Sequence, residues 1–327
     1  MKTFAINGAG RIGRLVIREY FRRKPNTLKL ADTETLAYLL EYDSVHGRFA
    51  STVTVNNTGL TIDDVTIPVL SEAQPQKLPW AKFDIDWVLE SSGRFCLRED
   101  AARHLSAGAK KVLIGAPSES ADLTVIYGVN HQDYKSDTHQ IISSGSCTTN
   151  SLVPPLAVML KEFGIETASA TTIHAYTASQ GLVDIASKKR IRGRAAALNL
   201  VPTSTGADKV VIEVFPELAE RFSALAVRAP IADGGLTDMT LRLKTNTNEQ
   251  QVNEVLLAAS SGWLKGVMDF TQQEWVSSDI IGNPHSAIIH GLSTRVIDKN
   301  TVKLQVWYDN EYAYACRLLD LMESLAA

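Results

Sequence analysis

Four settings in the chain place reactive or ligand-approachable groups where chemistry needs them. Cys147 lies in Ser143-Ser144-Gly145-Ser146-Cys147-Thr148-Thr149-Asn150, between a strand pattern and a helix pattern. A thiol there meets unpaired helix N–H groups and the positive end of the helix dipole, which favours its nucleophilic thiolate form. The small polar neighbours weigh against the common alternative, a cysteine packed as a small hydrophobe. His174 ends the strand-like run Thr171-Thr172-Ile173-His174-Ala175-Tyr176-Thr177. Brought against Cys147, its imidazole would form an ion pair, take a proton during attack and donate to a developing oxyanion; the alternative is a hydrogen-bonded core histidine. Gly8-x-Gly10-x-x-Gly13 follows the apolar run Thr3-Phe4-Ala5-Ile6, opens a helix pattern over 12–23, and has Asp32 19 residues beyond Gly13. Such glycines let a backbone approach a pyrophosphate, whose oxygens the N–H groups of Arg11 and Ile12 would bind. Asp32 would accept from an adenosine ribose and repel a 2′-phosphate, favouring NAD over NADP; capping a helix from residue 33 is its other reading. Finally, Arg192 and Arg194 in the basic run 188–194 precede Thr203-Ser204-Thr205-Gly206 and a helix, a set suited to an anionic substrate. A solvated loop is the plain alternative.

The elements that must hold these groups alternate in the first half. Strand patterns at 3–6, 28–31, 85–89, 111–114, 125–127 and 140–142 are separated by helix patterns at 12–23, 33–40 and 96–107, with a hairpin-like insert over 52–69. This rhythm predicts α/β architecture, a Rossmann-type doubly wound parallel sheet over residues 1–147. Later strands are longer and alternate, at 167–176, 223–228, 236–244, 288–296 and 302–308, beside helix patterns at 148–163, 207–214, 248–260 and 311–325. That predicts an α+β domain over 148–310 with a mixed or antiparallel sheet, and a C-terminal helix, 311–327, returning to the first domain.

Composition narrows the function classes. The 327 residues are 45% apolar and 21% charged, as folded soluble domains are, with no repeat or low-complexity stretch. A net charge of −3 leaves no global field for nucleic acid or an anionic membrane. Cys96, Cys147 and Cys316 form no CxxC pair, which disfavours a disulfide framework or a zinc site; Cys96 and Cys316 read as core residues. No apolar run reaches the length of a membrane span and none near the N-terminus suits a signal peptide, so a cytoplasmic, metal-free protein is expected.

Taken together, Asn7-Gly8-x-Gly10-Arg11-Ile12-Gly13, Tyr42-Asp43-Ser44-Val45-His46-Gly47, Ser146-Cys147-Thr148-Thr149-Asn150, Thr172 to Thr177, Thr203 to Gly206 and Trp307-Tyr308-Asp309-Asn310-Glu311 resemble the phosphorylating glyceraldehyde-3-phosphate dehydrogenases. The resemblance spans essentially the whole chain, and its cysteine motif is shared with the sister erythrose-4-phosphate dehydrogenases. It implies that Cys147 adds to an aldehyde, that His174 activates it, that hydride passes to NAD, and that inorganic phosphate attacks the resulting thioester to release an acyl phosphate. It further implies that Thr177 and Arg228 hold the substrate phosphate, that Ser146, Thr148, Thr205, Gly206 and Arg192 surround the attacking phosphate, and that Asn310 fixes the nicotinamide with Tyr314 nearby. A homotetramer is implied, with residues from about Tyr176 to Leu200 reaching a neighbouring subunit.

The chain also departs from the family pattern. The stretch between Gly13 and Tyr42 is about five residues short, Gly115 replaces a usual hydroxyl residue, and Ala73 stands where Arg is frequent. Ala186 replaces a proline associated with NAD selectivity, which leaves NADP open; Ser179 replaces an acid, and Tyr312-Ala313 replace Trp-Gly. Altered cofactor affinity is expected from these losses. Thr177 favours glyceraldehyde 3-phosphate, whereas Pro284-His285-Ser286-Ala287-Ile288 is similar to the erythrose-4-phosphate enzymes. A paralogue forming an arsenate ester, and a weakly active interaction module, are the further alternatives.

Overall fold

The computed structural model describes residues 2–23, 33–57 and 59–326, so Asp32 and the strand expected at 28–31 lie outside the described residues. The chain divides into two compact units, Met1–Gly145 with Ala315–Ala327, and Ser146–Tyr314.

In the first unit, β1 (Phe4–Asn7) leads through the glycine turn into α1 (Arg11–Arg23), followed by α2 (Thr33–Glu41). An antiparallel insert of β2 (Val53–Asn56), β3 (Gly59–Ile62) and β4 (Val65–Pro68) comes next. The chain continues through β5 (Trp87–Glu90), α3 (Arg98–Ser106), β6 (Lys111–Ile114), β7 (Leu123–Thr124) and β8 (Ile141–Ser143). β1, β5, β6, β8 and β7 lie in that order in one wholly parallel sheet. All four residues of β5 are buried, as a strand covered on both faces requires. α1 turns Leu15, Val16 and Ile17 inward, each at 2% exposure or less; burial of each contributes about 1.5–3 kcal/mol. The strand expected at 125–127 is the shorter β7 instead. The Asn130 amide accepts from Ile126 N (2.7 Å) and donates to Thr124 O (2.9 Å), capturing backbone groups that a longer strand would use.

The turn between β1 and α1 is tightly built. Gly8 has φ +102°, and a Cβ on Gly13 would lie 2.1 Å from Gly8 O, a backbone atom with no freedom to yield. Gly13→Ala is therefore expected to cost roughly 1–3 kcal/mol or more, because the helix must shift away from the turn. Thermal unfolding would check this, and an unchanged midpoint would contradict it.

The second unit opens with α4 (Cys147–Phe163) and β9 (Ile165–Ala175), then β10 (Val201–Ser204), α5 (Ala207–Val214), β11 (Phe222–Ala229), β12 (Gly235–Leu243) and α6 (Glu249–Ser261). β13 (Met268–Thr271), β14 (Ala287–His290), β15 (Arg295–Ile297), β16 (Thr301–Tyr308) and α7 (Tyr312–Ala326) complete it and lead back to the first unit. Seven strands run β10-β11-β9-β12-β16-β14-β13, mixed in direction, with β15 alongside β16. Alternate β12 and β16 residues are buried, and α4 lies against β9, β12, β14 and β16, so one sheet face carries the core. The single strand expected over 288–296 is two strands, interrupted by a turn at Gly291–Ser293. Gly291 is needed there because a Cβ would sit 2.4 Å from the Phe270 ring.

Within the first unit, Cys316, Leu318, Leu319, Leu321 and Met322 of α7 are buried, and Arg23 donates to Asp320 at 2.7 Å. Burial pushes the Cys316 thiol up to about 12, the inert core cysteine expected.

Candidate active site

Strand register brings the second unit's polar groups to one end of its sheet. His174 on β9 lies opposite Arg228 on β11 and Gly235 on β12, and Arg228 lies opposite Val201 on β10. α4 presents Cys147 as its first residue because Ser146 caps it. Ser146 Oγ accepts from Thr149 N (3.2 Å) while Thr149 Oγ1 accepts from Ser146 N (2.7 Å). Cys147 Sγ is 3.3 Å from His174 Nε2, the contact that the sequence could suggest only as a juxtaposition.

Burial works against the expected ion pair at this contact. Burial pushes the Cys147 thiol up to about 11, outweighing the lowering effects of Arg228 and Thr148, although the residue keeps partial solvent access. Burial first and Arg228 second hold His174 down to about 4. Desolvation thus opposes the charged form of both partners, against the helix end and Arg228, which favour the thiolate.

Arg228 touches this pair, Arg192 bears on it electrostatically, and further groups suited to anions lie in the same unit. Arg228 Nη1 lies 2.7 Å from His174 Nδ1 and donates to Ala175 O at 2.9 Å. Arg192 donates to Thr203 Oγ1 (2.8 Å) and Ser204 O (3.1 Å). Thr205 Oγ1 accepts from Ala207 N (3.2 Å), and Gly206 precedes α5 with open space where a side chain would be. Thr177 and Ser179 share a hydroxyl contact of 2.9 Å, and Thr148 is buried at the head of α4. Arg194 is not part of this set; it pairs with Asp184 at 2.9 Å.

Sequence reasoning quoted Tyr308 without a role and missed Asp233. Tyr308 hydroxyl lies 2.6 Å from Thr172 Oγ1 and 3.5 Å from Thr148 Oγ1, tying β9 to α4, and its ring stands edge-on to His174 at 5.9 Å. Gly235 makes room for it, since a Cβ there would sit 2.5 Å from the Tyr308 ring. That glycine in an alternating strand was the available signal. Asp233 shares a carboxyl hydrogen bond with Asp309, whose oxygens also accept from Gly282, Glu311 and Tyr312 N–H groups at 2.7–2.8 Å. Burial, then the charges of Asp309 and Glu311, raise the Asp233 pKa far above the carboxylate range. The folded chain therefore keeps a proton that the unfolded chain releases near pH 4. This contribution is full below that pH and is lost as pH rises toward the folded value. Asp233→Asn retains a donor toward Asp309 and removes that loss. It should raise stability at pH 8 by on the order of 1–3 kcal/mol while changing little at pH 4, measured by thermal unfolding at both. An equal change at both would contradict this.

The first unit's turn fits a dinucleotide phosphate. Gly8 and Gly13 are closed in by backbone, a Cβ on Gly8 meeting Ser92 N at 2.5 Å, whereas Gly10 has nothing within 4 Å and is exposed. A ligand can thus approach the start of α1, whose Arg11 side chain is drawn aside to Asp43 at 2.6 Å. Ser91 Oγ donates to Gly8 O (2.7 Å) and Asn7 Nδ2 to buried Glu90 (2.6 Å), supports the sequence did not reveal. In the second unit, Asn310 is 4% exposed and its Oδ1 has no hydrogen-bond partner among the described residues, as an acceptor awaiting a carboxamide N–H would.

Residues 2–98 match the family model of the NAD binding domain of glyceraldehyde 3-phosphate dehydrogenase, and residues 146–310 match that of its C-terminal domain. The chain belongs to the glyceraldehyde-3-phosphate dehydrogenase family. Glyceraldehyde-3-phosphate dehydrogenase of Thermotoga maritima is 44% identical over 331 residues, 99% of each chain. That of Geobacillus stearothermophilus is 43% identical over 326 residues, 98% of this chain and 97% of its own. Glyceraldehyde-3-phosphate dehydrogenase 2 of Bacillus subtilis is 40% identical over 327 residues, 99% and 96% respectively. Gly115, expected from the sequence to be a departure, has room for a side chain. A Cβ there would make ordinary contacts of 3.4 Å with Glu90 O and 3.5 Å with Leu89.

Proposed function

We propose that the protein oxidises and phosphorylates glyceraldehyde 3-phosphate, using NAD and inorganic phosphate, through a thioester on Cys147. The 3.3 Å contact of Cys147 Sγ with His174 Nε2, at the capped start of α4 and beside Arg228, carries this reading. As the sulfur adds to the aldehyde carbon, His174 takes the thiol proton, and the new alkoxide is met by the imidazole N–H and the positive end of α4. Bound NAD supplies a hydride acceptor, and loss of hydride leaves the acyl group on sulfur. Phosphate then attacks that carbonyl, the C–S bond breaks, and the acyl phosphate leaves. Arg228 and Thr177 hold the substrate's phosphate, while Ser146, Thr148, Arg192, Thr205 and Gly206 hold the attacking one.

In this reading the first unit takes NAD through Gly8 to Gly13, with Asn310 accepting from the nicotinamide amide. NAD is preferred to NADP. The protein works in the cytoplasm; among the described residues no helix is long and apolar enough to cross a membrane. A homotetramer is supported by apolar side chains left in water on the second unit, including Leu198 (81% exposed), Leu182 (75%) and Leu200 (68%), which further copies of the chain would cover.

Initial rates of NADH formation with phosphate test the substrate, comparing glyceraldehyde 3-phosphate with erythrose 4-phosphate and NAD with NADP. A higher kcat/KM for glyceraldehyde 3-phosphate with NAD is expected. Preference for the four-carbon sugar would transfer the assignment to the sister activity, and no turnover with either would remove it.

A further inference from the structure

A glutamate ends β5 out of reach of water. Glu90 is 1% exposed and stands opposite Asn7, the last residue of β1, in the wholly parallel sheet of the first unit. In such sheets ligands bind beyond the carboxyl ends of the strands, which is where this carboxylate lies. A carboxylate withdrawn from water must be hydrogen-bonded. Glu90 Oε2 accepts from Asn7 Nδ2 (2.6 Å) and faces His104 Nε2 (3.1 Å), while Oε1 accepts from Ser92 N (2.8 Å) and from Ser92 Oγ. None of these partners is a lysine or an arginine. His104, on α3, is itself fully buried, and its other nitrogen settles which way it bonds. Trp80 Nε1 lies 3.0 Å from His104 Nδ1, and an indole N–H can only donate. Nδ1 is therefore an acceptor, the ring proton sits on Nε2, and His104 donates to Glu90.

The groups that Glu90 holds besides His104 flank the glycine turn on both sides. Asn7 immediately precedes Gly8, and Ser92 N and Cα are the atoms that a Cβ on Gly8 would meet, at 2.5 and 2.6 Å. Ser91 closes the same seam, its N–H donating to Asn7 O at 2.8 Å. We propose that His104 is a positioning residue for the cofactor: by holding Glu90 it keeps Asn7 and Ser92, and through them the turn, in the form that accepts the dinucleotide pyrophosphate. This rests on the reading that Gly8 to Gly13 take that pyrophosphate. Without the His104 donor a buried acceptor is left short. Glu90 can recover a donor only by moving, and its movement displaces Asn7 and Ser92. Cys147 and the groups suited to phosphate belong to the other unit, so the effect falls on cofactor binding and spares the chemical steps.

The test is calorimetric titration of the full chain with NAD, beside steady-state rates with glyceraldehyde 3-phosphate and phosphate. His104→Phe keeps a ring and removes the donor. Its Kd and KM for NAD should rise by on the order of tenfold, about 1.4 kcal/mol, while kcat at saturating NAD and KM for the aldehyde stay within about twofold. His104→Gln, whose amide can donate to Glu90 and accept from Trp80, should bind NAD nearly as the parent does. Leu60→Ala, in the buried face of the three-stranded insert, should lower the unfolding midpoint without weakening NAD, which separates positioning from stability. Parent-like NAD affinity in His104→Phe, an equal loss in His104→Gln, an equal loss in Leu60→Ala, or a fall in kcat as large as the rise in Kd would each overturn the proposal. Asn7→Ala cuts the chain of contacts at its other end and should also weaken NAD; unchanged affinity there overturns the proposal should His104→Phe fail to fold. Gly10→Asp tests the underlying reading, since it puts a carboxylate into the open space at the start of α1. If Gly10→Asp binds NAD as tightly as the parent, the turn is not the pyrophosphate site and both claims fall. If Gly10→Asp weakens NAD and His104→Phe does not, the turn keeps its role and His104 loses its own.

Discussion

Cys147→Ser is expected to lower turnover by on the order of 10⁴-fold or more while leaving the fold and NAD affinity nearly unchanged. The sulfur is the atom on which the acyl group is carried. A serine hydroxyl, with a far higher pKa, is a poor nucleophile when its partner is an imidazole held down to about 4. The leaving step suffers too, because an oxygen ester is discharged by phosphate far less readily than a thioester. Structurally the change is small. The cap of α4 is made by Ser146 and Thr149, and Sγ takes no part in it. Steady-state rates and thermal unfolding check the two halves together. Substantial residual turnover in a folded protein would reject Cys147 as the nucleophile, and loss of turnover through unfolding would say nothing for it.

His174→Asn should reduce kcat by roughly 10²–10⁴-fold, the usual worth of a general base. Burial works against the free thiolate, so a base in contact is needed as the C–S bond forms. Asparagine can still meet Arg228 or Ala175 O, so packing should survive. The loss should shrink toward high pH, where hydroxide removes the thiol proton without help. A loss of the same size at every pH would assign His174 a role other than proton transfer.

The sequence carried the local half of this site. A glycine turn after an N-terminal strand, and a cysteine at a strand-to-helix junction, are backbone requirements written into a few consecutive residues. The alternation of residues 236–244 and 302–308 likewise announced a sheet with one covered face, as found in β12 and β16. What stayed hidden depends on register and desolvation. Arg228 stands beside His174 because β11 pairs in parallel with β9, a pairing no spacing rule specifies. Dipole reasoning took no account of how far Cys147 is desolvated, which opposes the nearby positive groups. Tyr308 stood in a motif of the sequence, but its place between Thr172 and Thr148 depends on the space that Gly235 leaves. At 125–127 the apolar run was real, but the Asn130 side chain took the backbone groups a strand would have used.

The most direct measurement is the course of NADH release when glyceraldehyde 3-phosphate and NAD are mixed with the protein in the absence of phosphate. The account predicts a rapid burst approaching one equivalent per Cys147, then near arrest as the acyl group waits on sulfur, and sustained turnover when phosphate is added. Steady phosphate-independent oxidation, or no burst from a protein that turns over once phosphate is present, would contradict the covalent thioester.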